Sequence, residues 1–157
     1  MAGPHFRAGV VAVVRRGDGR VMAFERSDLP GQWQLPQGGL EAGESPVEAV
    51  WRELTEETGL GRDDVVLSDE LPDWTVYEWP RHVLDSKRLG QAHRWFFFDV
   101  VDDAIEPSPD GSEFSTWRWV EPEWLIDHVV AFRRSSYQRA LGRERDAAGS
   151  PGGGHTT

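Results

Sequence analysis

The chain has 157 residues, 28% of them charged, a formal net charge of −10 and no cysteine. That length fits one domain with one sizeable core, and the missing thiols exclude disulfides, zinc–thiolate sites and thiol nucleophiles. The acidic balance excludes non-specific, charge-driven binding to a polyanion, so any phosphate chemistry must rest on local arginines and bound cations.

Residues 1–7 hold no apolar signal core, and no apolar run approaches membrane-spanning length, so a cytoplasmic protein is expected. Residues 6–15 read as a strand through the buried run Val10, Val11, Ala12, Val13 and Val14. Gly17-Asp18-Gly19 marks a turn, and residues 21–25 return as the second arm of a hairpin. Residues 28–37 contain Pro30, Gly31 and Pro36 and read as a loop, continued by Gly38, Gly39 and Gly43. Ser45 then caps a helix over 45–58: Ser45-Pro46-Val47-Glu48 is a capping box with proline at the first helical position. Val47, Val50, Trp51 and Leu54 form its apolar stripe, and Gly59 ends it.

Beyond the helix, strand-like pieces fall at 65–67 and 74–79, and a strong strand at 94–101 carries Trp95, Phe96, Phe97 and Phe98. Residues 102–112 are polar with two prolines and read as a loop, 114–120 as an aromatic strand, and 123–141 as a second helix buried through Leu125, Val129, Phe132 and Tyr137. The composition changes at Gly142, giving a domain over 1–142 and a disordered tail over 143–157. Strands, helix, strands and helix in one domain point to an α/β fold with helices packed on a mixed sheet.

The chemistry concentrates on the first helix. Glu53, Glu56 and Glu57 are spaced by three and four residues, which puts them on one face, to one side of the apolar stripe. Three carboxylates so placed repel one another, and they sit in the last turns, where the helix dipole disfavours anions. Arg52 offsets part of this; a divalent cation offsets more, and an all-oxygen donor set suits Mg²⁺ or Mn²⁺. A solvated acidic helix end is the alternative reading of the triad taken alone.

The surrounding residues carry a resemblance. Gly38, Glu44, Arg52-Glu53-Leu54, Glu56-Glu57 and Gly59-Leu60 resemble the Nudix box, G-x5-E-x7-R-E-U-x-E-E-x-G-U with U aliphatic, and satisfy each constrained position. From average residue usage a chance match at a given start is on the order of one in 10⁹. The resemblance implies the Nudix fold, a mixed β-sheet sandwiched between α-helices, and metal-dependent hydrolysis of a nucleoside diphosphate linked to another group. It implies that Glu53, Glu56 and Glu57 bind metal, that Arg52 orients them by salt bridge, that Glu44 supports the loop, and that Gly38 offers its backbone carbonyl to metal.

Further segments resemble the branch of that family containing bacterial RNA pyrophosphohydrolases and diadenosine polyphosphate hydrolases. They are Trp33-Gln34-Leu35-Pro36-Gln37-Gly38-Gly39, Gly90-Gln91 with Trp95-Phe96, Glu113-Phe114 with Trp117-Arg118-Trp119-Val120, and Val129-Val130-Ala131-Phe132-Arg133-Arg134 with Tyr137. By this resemblance Glu113 is a further metal ligand or the base that activates water. Arg7 and Arg26 contact phosphates, Phe132 stacks on a base, and Gln37 and Tyr77 belong to the substrate site. Asp28-Leu29-Pro30-Gly31 departs from the branch's shorter, more basic stretch, the loop over 80–89 keeps Arg81, Lys87 and Arg88, and no extended basic C-terminus follows.

The activity this implies is conversion of 5′-triphosphate RNA to 5′-monophosphate RNA. The alternative is hydrolysis of dinucleoside polyphosphates, and a non-catalytic nucleotide-binding module is a third class. Partners are then limited to a nucleotide or RNA 5′ end, with no membrane and no obligate protein partner, in a monomeric enzyme.

Overall fold

The computed structural model describes residues 5–81 and 88–149, with side chains described as far as residue 142. Eight strands and three α-helices follow one another as β1 (His5–Arg15), β2 (Val21–Arg26), β3 (Trp33–Gln34), β4 (Gln37–Gly39), α1 (Pro46–Thr58), β5 (Val65–Glu70), β6 (Thr75–Glu78), β7 (Arg88–Val100), β8 (Phe114–Val120), α2 (Pro122–His128) and α3 (Arg134–Gly149). A 3₁₀ turn, Ala131–Arg133, links α2 to α3.

The central pairing is between β1 and β7, which run parallel from Phe6↔Gly90 to Arg15↔Asp99. Along its other edge β1 pairs with β4 through Gly9↔Gly39, Val10↔Gly38 and Val11↔Gln37. On the far side of β7, β5 pairs with its C-terminal half and β6 with its N-terminal half, both antiparallel. At its end β1 turns into β2, which carries β3 on one edge and β8 on the other.

The apolar run of β1 is buried on both faces, as strands covered from two sides require. Val11 and Val13 join Trp95, Phe97, Leu125, Val129, Tyr137, Ala140 and Leu141 in a core beneath α2 and α3. The alternate residues Val10, Ala12 and Val14 join Phe96, Phe98, Ala49, Val50 and Leu54 in a second core beneath α1. Strand alternation thus assigns each residue to one helical layer, and the result is the expected mixed sheet between helices.

Helix α1 begins and ends as its sequence dictates. The Ser45 side chain accepts the Glu48 backbone N–H, Pro46 opens the first turn, and Gly59 adopts a left-handed φ of 74° at the C-terminus, a conformation available to glycine at no steric cost. Its buried stripe is displaced from the expected one. Ala49, Val50 and Leu54 are fully buried, Trp51 is half-buried, and Val47 lies at the surface, 39% exposed.

Three other expectations are corrected. The proline- and glycine-marked loop contains β3 and β4, whose short ladders are supplied by β2 and β1 rather than by local propensity. The strand expected at 94–101 begins at Arg88, because its first half pairs with β1 and β6. The second helix breaks: Val129 is extended (φ −79°, ψ 153°) and buried at 2% exposure, and α3 starts again at Arg134. Burying Val129 in the core outweighs continuing the helical ladder. Helix α3 runs through position 142, where the composition changes; residues 150–157, like Lys87 in the 82–87 segment, lie outside the described residues.

Candidate functional site

Strand β4 is the floor of the site, and each of its three residues has a separate task. The backbone N–H of Gln37 donates to Glu57 Oε2 at 3.1 Å. Gly38 lies directly behind Glu53: an added Cβ there would stand 2.1 Å from the Glu53 carboxyl carbon. The Gly39 carbonyl accepts from Arg52 Nη2 at 2.9 Å.

Arg52 ties the carboxylates to that floor. Its Nε and Nη2 donate to the two oxygens of Glu44 at 2.7 and 2.9 Å, a bidentate pair. Its Nη1 donates to Glu53 Oε1 at 2.8 Å and to Glu56 Oε2 at 3.3 Å. The guanidinium holds Glu44 at a pKa of about 2, assisted by the Glu41 backbone N–H, and is itself raised, chiefly by its bond to Glu44. Arg52→Lys keeps the charge but not the planar fork. Its expected cost is about 2 kcal/mol of stability, from lost charge-assisted bonds, with Glu53 and Glu56 released. Urea unfolding checks this; a loss within ~0.3 kcal/mol of zero would contradict the bracing role.

Glu57 is the most enclosed of the acids, at 5% exposure. Burial pushes its carboxyl far above the usual carboxylate range, and the nearby charges of Glu113 and Glu53 add to the rise. Glu113 shares a hydrogen bond with it, so a residue 56 positions away in sequence (113 − 57) closes the cluster. The segment before β8 is anchored for this by Asp110, which accepts the Ser112 and Glu113 backbone N–H groups at 3.1 Å each. Burial also raises Glu53, against the opposing pull of Arg52. Glu56, by contrast, has an exposed side chain.

The donor chemistry fits a hard divalent cation: clustered carboxylate oxygens, one of them held protonated by burial and by its neighbours' charge. Among the described residues no three acidic or histidine side chains stand in closed ligand geometry. Glu53 and Glu56 are both held by Arg52 Nη1.

A second sector adjoins this one across β4. The Arg7 guanidinium lies over Gly39, 2.5 Å from where a Cβ would stand. Tyr77 and Phe132 approach with ring centroids 5.8 Å apart. Arg133 donates from Nε to the Tyr77 hydroxyl at 3.2 Å and from Nη1 to Gln34 Oε1 at 2.8 Å. The Tyr77 hydroxyl also bonds Gln91. Buried His93 packs against Tyr77 at 5.7 Å between centroids; burial, with Arg133 and Arg7 nearby, lowers its pKa to about 3 and keeps it neutral. The amide oxygen of Gln37 is buried without a partner among the described residues.

The sequence-derived residues therefore fall into two adjoining groups. Glu53, Glu56, Glu57, Glu113, Arg52 and Gly38 come together, as do Arg7, Tyr77 and Phe132. Arg26 instead pairs with Asp28, its Nε and Nη2 donating at 3.0 and 2.8 Å. Gln37 meets the carboxylate group through its backbone. Phe132, expected on a buried helical face, sits half-buried in the 3₁₀ turn. Gln34, Gln91, His93 and Arg133 received no role from the sequence. Gln34, Gln91 and Arg133 lie inside recognisable segments, whereas nothing local distinguishes His93.

Comparison with known proteins gives a family match. A model described as NUDIX domain matches residues 5–140. An RNA pyrophosphohydrolase of Xylella fastidiosa is 41% identical over 143 residues, covering 87% of this chain and 75% of the relative. One of Cereibacter sphaeroides is 37% identical over 140 residues, 85% of each chain. Among solved structures, a MutT protein of Methanosarcina mazei aligns with a TM-score of 0.64 and 24% identity over 92% of this chain and 98% of its own. A C. elegans Ap4A hydrolase binary complex aligns at 0.65 with 16% identity, covering 88% and 98%. The structural likenesses show the shared fold.

Proposed function

This chain belongs to the NUDIX family, and from that premise we propose that it hydrolyses the 5′-terminal polyphosphate of RNA, leaving a 5′-monophosphate end. The observation that carries the chemistry is the convergence of Glu53, Glu57 and Glu113 beside Arg52 on the β4 floor. The relatives named RNA pyrophosphohydrolase support the substrate.

Nudix hydrolases depend on a divalent metal, and we assign Mg²⁺ or Mn²⁺ to Glu53, Glu56, Glu57 and Glu113, with the Gly38 carbonyl. A bound cation of this type supplies charge neutralisation along the polyphosphate and lowers the pKa of attacking water. The protein's own residues do the rest. Arg52 fixes the orientation of Glu44 and Glu53. Glu113, next to Glu57 and on the surface, is the acceptor for the proton of the attacking water. Arg7 meets phosphate oxygens beside Gly39, with Arg26 available once it leaves Asp28. Gln37 offers its amide oxygen, and half-buried Phe132, backed by buried Tyr77, provides a stacking face for a base, which contributes about 1–3 kcal/mol and tolerates different bases.

Dinucleoside polyphosphates present the same linkage to the same groups and are the second reading. A product assay across triphosphorylated RNA, diadenosine polyphosphates and nucleoside triphosphates, with either cation, separates the two. RNA is expected to be cut most efficiently; untouched RNA beside rapidly cut dinucleotides reverses the assignment. No described helix is long and apolar enough to cross a membrane. We further propose a cytoplasmic monomer.

A further inference from the structure

A cleft outside both sectors runs between β6 and the first turn of α3. Its inner hollow, of about 120 Å³, is lined by Thr75, Val76, Ser135, Ser136 and Arg139. An adjoining hollow of about 320 Å³ shares Thr75 and Arg139 and adds Leu71, Asp73 and Trp74. On α3 the spacing of Ser135, Ser136 and Arg139 by three and four residues puts them on one face, and that face meets β6.

The inner hollow is rich in donors that lack an acceptor. Ser136 is 4% exposed, and its hydroxyl oxygen is buried with no hydrogen-bond partner among the described residues. Leaving such a group unpaired is costly, and an enclosed polar atom of this kind asks for a ligand. Thr75, 2% exposed, accepts from Trp95 Nε1 at 2.7 Å, which leaves its own hydroxyl proton to give. Exposed Arg139 has no ion pair or hydrogen bond among the described residues. The acid lining the cleft, Asp73, belongs to the outer hollow. The Ser135 and Ser136 hydroxyls and the Arg139 guanidinium near the N-terminus of α3, where the dipole favours anions, with the Thr75 hydroxyl facing them from β6, are complementary to a tetrahedral anion with several acceptor oxygens.

We propose that the hollow between Thr75 and the Ser135–Ser136–Arg139 face of α3 binds a phosphate group. Thr75 and Val76 directly precede Tyr77 along β6, and Ser135 lies three residues beyond Phe132, so the hollow is next to the stacking pair. If the chain acts on RNA as proposed above, this phosphate is an internucleotide linkage downstream of the reacting end; otherwise it is free phosphate.

The test is a titration of the full, cation-free chain followed through the amide resonances of Thr75, Val76, Ser135, Ser136 and Arg139. One arm uses inorganic phosphate and the other a short RNA with a 5′-hydroxyl end, which has no terminal phosphate to present to the carboxylate site. Saturable shifts at these amides are expected, weakened about tenfold by Arg139→Ala and also by Ser136→Ala. Response to RNA assigns the internucleotide linkage, and response to phosphate alone assigns the free anion. Silence at these amides in both arms overturns the proposal, as do shifts that both variants leave unchanged. Circular dichroism verifies the fold of each variant. Because the readout is binding, a chain that fails to hydrolyse RNA does not by itself fail here.

Discussion

Glu57→Gln is expected to reduce turnover by about 10³-fold or more, the scale of losing a group that organises charge in the transition state, while making the cation-free protein less sensitive to alkaline pH. The first effect follows from the position of Glu57, buried against Gln37 and flanked by Glu53 and Glu113. The second follows from linkage. The folded chain holds the Glu57 proton far above the ordinary 4.5 at which the unfolded chain releases it. The stability this provides is complete below that value and is lost as pH rises towards the folded-state pKa. Glu53, also raised by burial, acts in the same direction. His93 and Glu44 are depressed, so their contributions are present above 6.5 and 4.5 respectively and are lost only as pH falls. Between pH ~7 and ~9 Glu57 therefore sets the slope. The melting temperature of the cation-free wild type should fall across that interval, the fall should be shallower in Glu57→Gln, and Mg²⁺ should raise the wild type more than the variant. Unchanged turnover in the variant removes the metal-site assignment; parallel pH slopes remove the electrostatic account.

Gly38→Ala should lower kcat by about 100-fold with a nearly unchanged melting temperature. Gly38 has no positive φ, so the backbone accepts alanine. The added methyl group falls 2.1 Å from both Cδ and Oε1 of Glu53, the far end of a flexible side chain. The side chain is displaced from Arg52 while the fold stays intact. Gly39→Ala supplies the contrast. There the methyl group meets the Arg7 guanidinium at 2.5 Å, so the expected change is a higher KM rather than a lower kcat. Full activity in Gly38→Ala, or identical kinetic defects in the two variants, would refute the division of labour along β4.

The parts of the site carried by one segment were legible in the sequence. Cap, helix and carboxylate face lie within residues 38–60, where spacing alone converts to geometry. The limits of β8 were equally plain, since an aromatic strand stands between two polar segments. Less accessible were features decided by distant residues. The parallel pairing of β1 with β7 leaves no local mark, so the apolar pattern marks β7 only from residue 94, whereas the strand begins at Arg88. Val47 has helical spacing but falls beyond the edge of the core that β1 and β7 offer. Val129 reads as helical until its burial beneath the sheet is known. Gln34 and Arg133 meet across 99 positions in the chain, and His93 becomes notable only once Tyr77, Arg7 and Arg133 surround it.

The long parallel contact between β1 and β7 also has a consequence for the order in which this chain assembles. As it emerges from the ribosome, the first strand and the glutamate-bearing helix are complete well before the residues of β7 that flank β1, and before Glu113. Contacts of such sequence separation form late, after a large loop-closure cost. The nascent chain therefore carries Glu53, Glu56 and Glu57 in water, and the burial of Glu57 beside Glu113 is deferred until the sheet closes. Synthesis from the N-terminus thus separates the making of the acidic helix from its confinement, and a circular permutant opening at Gly17–Gly19 would remove that delay for β1.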